Sequence, residues 1–256
     1  MANNALPASF LALGDSFTEG LNDLRDDGTM RGWADRFALL LDEARPGIRY
    51  GNLAIRGRVL QQILDEQLPI ALAEHPDLVG FSAGGNDILR VGSDPDEVAA
   101  RYENGVRELR AAGSRVLVFT GFDVGVTPVL RLARGKIAIY NEHLRVIASR
   151  NDCDLVDLWS LDTLRDRRSF SEDRLHLSAE GHERVARLVA HVVGVPAGDP
   201  EEPYTTMQSA GSRRADLHWA REHLLPWVGR RVRHQSSGDD VPVKRPELSE
   251  LRPPLG

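Results

Sequence analysis

Short apolar runs alternate with longer stretches of helical period over the first three-quarters of the chain. The runs at 9–13, 48–53, 78–82, 115–120 and 154–158 read as buried strands. Between them lie amphipathic stretches. The one at 33–44 puts Trp33, Phe37, Leu40 and Leu41 on one face, and 59–73, 95–112, 132–149 and 179–193 complete the set. Pro95-Asp96-Glu97 is a good helix start, with proline in the first turn and acids at the positive end of the helix dipole. Gly113 closes that helix, and Ser178 is a candidate N-cap for the last one. Five strands alternating with five helices predict an α/β domain whose parallel sheet is covered on both faces.

The pattern changes near Val195. Eight of the fourteen prolines lie from Pro196 onward. One helix-like segment remains, 214–228, with Leu217, Trp219, Leu224, Leu225 and Trp227. A basic cluster at 230–234 follows, then a Pro-rich end that reads as a loosely held tail. The sequence therefore predicts a domain over 1–195 and a helical and extended C-terminal extension over 196–256. Two tryptophans are costly to leave in water, so the extension is expected to pack on its own chain or on a partner subunit.

The bulk numbers narrow the class. Of 256 residues, 41% are hydrophobic and 27% charged, ordinary for a soluble globular protein. A net charge of -6 gives no ground for bulk nucleic-acid binding. No apolar stretch is long enough to span a bilayer, so stable membrane insertion is not expected. The first residues, MANNALPASF, carry no basic segment and no long apolar run, and a cytoplasmic location is the expectation. The one cysteine, Cys153, cannot form an internal disulfide or a zinc knuckle, and it reads as a small near-core residue.

Candidate chemistry begins where the first strand ends. Gly14-Asp15-Ser16-Phe17-Thr18-Glu19-Gly20 empties an apolar run into a tight loop, and such strand ends collect ligands in open α/β sheets. A serine needs a base to act as a nucleophile. Of the eight histidines, His176 alone sits in a context that also offers an orienting acid, Asp173-Arg174-Leu175-His176. An aspartate three residues earlier on a loop can fix the imidazole tautomer and leave Nε2 for the serine. The third strand runs into Gly84-Gly85-Asn86-Asp87, where Asn86 offers an amide donor to a developing oxyanion. Gly57, after the second strand, can present a backbone N–H to the same point. Taken singly, each has a plainer reading: a turn, a helix cap, a salt-bridged histidine. Arg56 and Arg58 either meet an anionic leaving group or are simply solvated.

Four ordered blocks make this sequence resemble the SGNH hydrolases, also called the GDSL esterase/lipase family. They are Gly14-Asp15-Ser16, Gly57 within 52–57, Gly84-Gly85-Asn86-Asp87, and Asp173-Arg174-Leu175-His176. The first reads Gly-Asp-Ser-Phe rather than Gly-Asp-Ser-Leu, a change that touches no catalytic atom. The resemblance implies a flavodoxin-like three-layer α/β/α sandwich with a five-stranded parallel sheet, working without cofactor or metal. It implies Ser16 as nucleophile, His176 as general base and then acid, and Asp173 as its orienter. It implies an oxyanion hole from the Ser16 and Gly57 backbone N–H groups and the Asn86 side chain. Asp15 is expected to hold the loop. The implied partner is a small-molecule ester, short acyl groups being favoured for want of an apolar lid. Acyltransferase, lysophospholipase or thioesterase chemistry would use the same triad, and a non-catalytic binding module would use only the fold.

Overall fold

The computed structural model describes residues 5–126, 130–205, 238 and 240–251. Its centre is a six-stranded sheet built from β1 (Ser9–Gly14), β2 (Arg49–Asn52), β3 (Leu78–Ser82), β4 (Arg115–Phe119), β5 (Asp154–Val156) and β6 (Arg245–Glu250). The strand order is β5-β4-β3-β1-β2-β6. The first five strands run parallel, with Leu11 opposite Gly51 on one side and Val79 on the other. All of β1 is buried, as a central parallel strand covered on both faces must be.

Side-chain alternation along β1 sorts the core into two layers. Phe10 and Ala12 face α2 (Gly32–Ala44) and α8 (Ala179–Val193), packing with Trp33, Phe37, Val185 and Val189. The Phe10 ring meets Phe37 edge-on at 5.0 Å and stacks on Tyr50 at 5.4 Å. Leu11 and Leu13 face the opposite way, toward α3 (Leu60–Glu66), α4 (Leu68–Glu74), α6 (Pro95–Ala111) and α7 (Arg134–Arg150). Two single-turn helices, α1 (Ser16–Glu19) and α5 (Gly85–Ile88), sit at the carboxyl ends of β1 and β3. Among the described residues, no helix is long and apolar enough to cross a membrane.

The structure departs from the sequence expectation in three places. The sheet has six strands rather than five. The sixth comes from the segment expected to be a loose tail, and it pairs antiparallel with β2, Tyr50 opposite Ser249. Its sequence is polar because it forms an edge, and Leu248 is its one buried side chain. Pro246 is tolerated there for the same reason. The expected boundary at 195 is thus not a boundary of the sheet. The stretch at 59–73 is two helices, broken at Gln67. Pro69 lies in the first turn of α4, where its missing N–H costs nothing and where a continued helix would clash. The helix expected from 132 begins at Arg134, after a 3-10 turn at Leu130–Ala133. The expected helix at 214–228, with Trp219 and Trp227, lies outside the described residues.

Candidate active site

The backbone leaves β1 through a turn with no room for side chains. A Cβ on Gly14 would lie 2.6 Å from both the Ser82 carbonyl oxygen and Thr18 Oγ1. Gln67, buried at the break between α3 and α4, clasps Gly14 with both ends of its amide. Its Oε1 accepts from Gly14 N at 2.8 Å, and its Nε2 donates to Gly14 O at 2.9 Å. Asp15 then caps α1, accepting from Phe17 N at 3.1 Å. Ser16 is thereby the first residue of a short helix at the sheet's carboxyl edge.

Asn86 comes from α5, after Gly84, whose φ of +90° and contact with Tyr140 admit only glycine. Its Nδ2 donates to Asp15 Oδ2 at 3.1 Å and to Arg58 O at 3.0 Å. The Asp15 carboxylate therefore joins the serine turn to the asparagine turn, the loop-holding role expected of it. Burial pushes its pKa up to about 6, against the Phe17 N–H and the charge of His176. Gly57 takes a left-handed turn at φ +77° between Arg56 and Arg58. Neither arginine is simply solvated: Arg56 pairs with Glu19, and Arg58 with Glu66 at 2.9 Å. The Glu19 carboxylate also accepts the Arg56 backbone N–H at 2.7 Å.

The loop before α8 carries Asp173 and His176. His176 Nδ1 lies 2.7 Å from Asp173 Oδ2. The other oxygen, Oδ1, accepts from Leu175 N, His176 N and Ser171 Oγ at 2.9, 3.0 and 2.7 Å. Burial works to raise the Asp173 pKa, but the hydrogen bond and charge of His176 and these backbone donors outweigh it. The carboxyl is held well below the usual range. An ionised Asp173 fixes Nδ1 as a donor, which leaves Nε2 with the lone pair.

Ser16, Asn86 and His176 line one cavity of about 180 Å³, whose walls include Phe119, Leu130, Ile137 and Leu144. Asp173 lies behind His176, and Gly57 is not among the described residues that line the cavity. Hydrogen-bond donors, a polarised imidazole and a hydroxyl beside an apolar chamber are the components of acyl transfer.

Several supporting residues escaped the sequence reading. Asn22 donates to Asp173 Oδ2 at 2.8 Å and to Ser171 Oγ at 2.9 Å, from a left-handed backbone at φ +74°. With Gln67 and Glu19, it acts on residues far away in the chain, and no local motif marks such partners. Cys153 is half-buried, and burial pushes its thiol up to about 11, as befits a near-core residue. Among the described residues, no group of three or more His, Cys, Asp or Glu side chains could hold a metal ion.

Comparison with known proteins agrees in family and fold. The sequence profile of the GDSL-like lipase/acylhydrolase family matches residues 12–184. No curated protein matches the chain. Among solved structures, the crystal structure of TesA is 24% identical with a TM-score of 0.61, covering 72% of this chain and 97% of that one. Axe2, an acetylxylan esterase from Geobacillus stearothermophilus, is 23% identical with a TM-score of 0.61, covering 73% and 94%. The acetyl xylan esterase AlAXEase gives 23% and 0.61, covering 72% and 99%.

Proposed function

This chain belongs to the GDSL-like lipase/acylhydrolase family, and on that footing we propose that it is a serine-dependent carboxylic ester hydrolase working through an acyl-enzyme. Ser16 Oγ attacks the ester carbonyl while His176 Nε2 takes its proton. The imidazolium that forms is stabilised by Asp173 and then protonates the departing alcohol. Water, deprotonated by the same imidazole, cleaves the acyl-enzyme in the second half. The observation that carries this reading is the 2.7 Å contact of Asp173 with His176 Nδ1, on a histidine that shares a cavity with Ser16 and Asn86.

The oxyanion is assigned to the Ser16 backbone N–H and the Asn86 amide, whose residues line the cavity, with the Gly57 N–H, whose residue is not among those lining it, as the third donor that the family resemblance implies. Asn86 Nδ2 already donates to Asp15 Oδ2 and to Arg58 O. An oxyanion must therefore draw one of these hydrogens into a shared bond, and the charge that develops in the transition state favours that shift.

Chamber size and lining favour a short acyl group. About 180 Å³ is small beside the ~300–1,000 Å³ of drug-sized ligand pockets, and the apolar walls suit methyl or short alkyl groups. Axe2 and AlAXEase are acetylxylan esterases, which makes acetylated sugars the first natural-type substrates to try. Acyl transfer to a sugar hydroxyl would use the same groups, and product analysis with and without an acceptor alcohol separates it from hydrolysis.

The test is hydrolysis of p-nitrophenyl acetate by the parent and by Ser16→Ala, with a fluorophosphonate probe of Ser16. Loss of the nucleophile should lower kcat by at least about 10³-fold and abolish labelling. Parent-level turnover by Ser16→Ala would end the proposal. A parent that neither labels nor hydrolyses would point to a binding module on this fold.

A further inference from the structure

Lys244 lies beyond the stretch matched by the family profile, yet its side chain reaches the back of the serine turn. Lys244 immediately precedes β6. Its side chain is 16% exposed. Its ammonium donates to Glu19 O and to Arg31 O, both at 2.8 Å, and pairs with Asp35 Oδ1 at 3.1 Å. These acceptors belong to three segments: the end of α1, the loop entering α2, and α2 itself.

The first of them matters for chemistry. A helix of one turn leaves its last carbonyls without partners inside the helix. In α1, Ser16 O accepts from Gly20 N and Leu21 N at 3.2 and 3.1 Å. Thr18 O accepts from the Asn52 side chain at 3.0 Å, and Glu19 O takes Lys244. Gly20 then passes so close to Gly32 that a Cβ would lie 2.6 Å from the Gly32 Cα. Lys244 bridges the two strands of chain at this crossing.

Glu19 also extends the effect to the second turn. Its carboxylate holds the Arg56 N–H and guanidinium, one residue before Gly57. Gly238 packs directly against the Arg56 carbonyl. The C-terminal segment thus touches the supports of both turns, one carrying Ser16 and the other Gly57.

We infer that Lys244 is a positioning residue for the hydrolytic site, fixing the Ser16 turn against α2 and, through Glu19, the Arg56–Gly57 turn. This rests on the proposed function above. The partners left behind argue that the contact is needed for geometry more than for folding. Without Lys244, Asp35 still accepts from Tyr50 Oη and from Arg25, each at 2.6 Å. What loses its Lys244 anchor is the carbonyl end of α1, together with Arg31 O at the entry to α2.

Full-length Lys244→Met, which keeps length and removes charge and donors, is compared with Lys244→Arg and the parent. Two readouts are taken: steady-state hydrolysis of p-nitrophenyl acetate, and hydrogen exchange of the amides at 16–21. In Lys244→Met, kcat should fall about 10- to 100-fold, since small misplacements are costly in rate. KM should stay within about threefold. Exchange at 16–21 should quicken while α6 keeps its protection, and Lys244→Arg should recover most of both. Parent-like kcat and exchange at 16–21 in Lys244→Met would overturn the inference. So would a rate loss accompanied by faster exchange throughout the sheet, which marks general destabilisation. Should Lys244→Met not fold, Lys244→Gln carries the same comparison. If the parent hydrolyses no ester, the fault lies with the proposed function, and the exchange arm alone decides the role of Lys244.

Discussion

At Asp173, two oxygens do different work. Oδ1 takes the loop's own N–H groups and Ser171, while Oδ2 takes His176 and Asn22. In Asp173→Asn, the amide can keep its oxygen toward the loop only by turning its NH2 toward His176. The imidazole must then accept at Nδ1 and carry its proton at Nε2, the wrong tautomer for a base. A fall in kcat on the order of 10³–10⁴ is expected, together with a lower melting temperature, since the ionised carboxyl also supports the fold and accepts from Asn22. Asn22→Ala is a milder change, because Asp173 keeps its other donors. We expect a several-fold loss of kcat and at most about 1 kcal/mol of stability, measured by activity and urea unfolding. A loss as large as that of Asp173→Asn would mean that Asn22 touches the reaction directly. The serine, histidine, aspartate and asparagine were legible in the sequence because each sits in a short motif at an element end. Asn22 was not, since its partner is 151 residues away.

Among the elements, the break between α3 and α4 shows how local pattern and long-range demand diverge. The apolar period runs on through 59–73, so the sequence suggests one helix. Pro69 breaks the helix at Gln67, and the break frees the Gln67 side chain to reach Gly14, at the head of the Ser16 turn. Gln67→Leu would leave the buried Gly14 N–H without its partner, while the Gly14 C=O would keep only the long 3.3 Å bond from Ile55 N. At about 1–3 kcal/mol for a buried donor left unpaired, the variant should lose at least that much in urea unfolding. It should also lose turnover, since the strand end is no longer fixed. An unchanged midpoint would show that the turn finds other partners. Elements whose cause is local are legible in the sequence: β1 and β3 from apolar runs, α6 from its proline and acids, and α8 from its N-cap Ser178. The sheet's sixth strand was missed because its stability comes from the open edge of β2, not from any apolar period of its own.

Across the whole molecule, acid response is set by buried groups that oppose one another. Burial pushes Asp15 up to about 6 from 3.8, so the folded state holds this proton more tightly than the unfolded chain. That contribution favours folding at low pH and is lost as pH rises from about 4 to about 6. His182 behaves in reverse. Burial pushes it down to about 4 from 6.5, and its Nδ1 accepts from Trp33 N at 3.2 Å, which requires the neutral ring. Its contribution is lost as pH falls from about 6.5 to about 4, because the unfolded chain takes up a proton that the folded one refuses. Each shift is worth about 3 kcal/mol, with opposite sign over nearly the same window. Stability should therefore change much less between pH 6.5 and 4 than His182 alone would make it, Asp87, which burial also raises, acting with Asp15. Below that, both Asp23 and Asp173 turn the balance. The buried Asp23 carboxyl is held down at about 2, burial opposing and Arg36 and Arg31 prevailing, and Asp173 lies lower still. Their support is present above the unfolded carboxylate range and disappears as pH drops from about 4 toward 2. Urea unfolding at half-unit steps from pH 7 to 3 tests this on three proteins. The parent should show a shallow slope and then a collapse. Asp15→Asn, which has no proton to take up there, should lose stability steadily from pH 6.5 downward. His182→Gln, whose amide oxygen can still accept from Trp33 N, should gain stability over the same interval before the collapse. Parallel curves for all three would mean that neither group changes its protonation between the folded and unfolded states, and the shallow slope would need another cause.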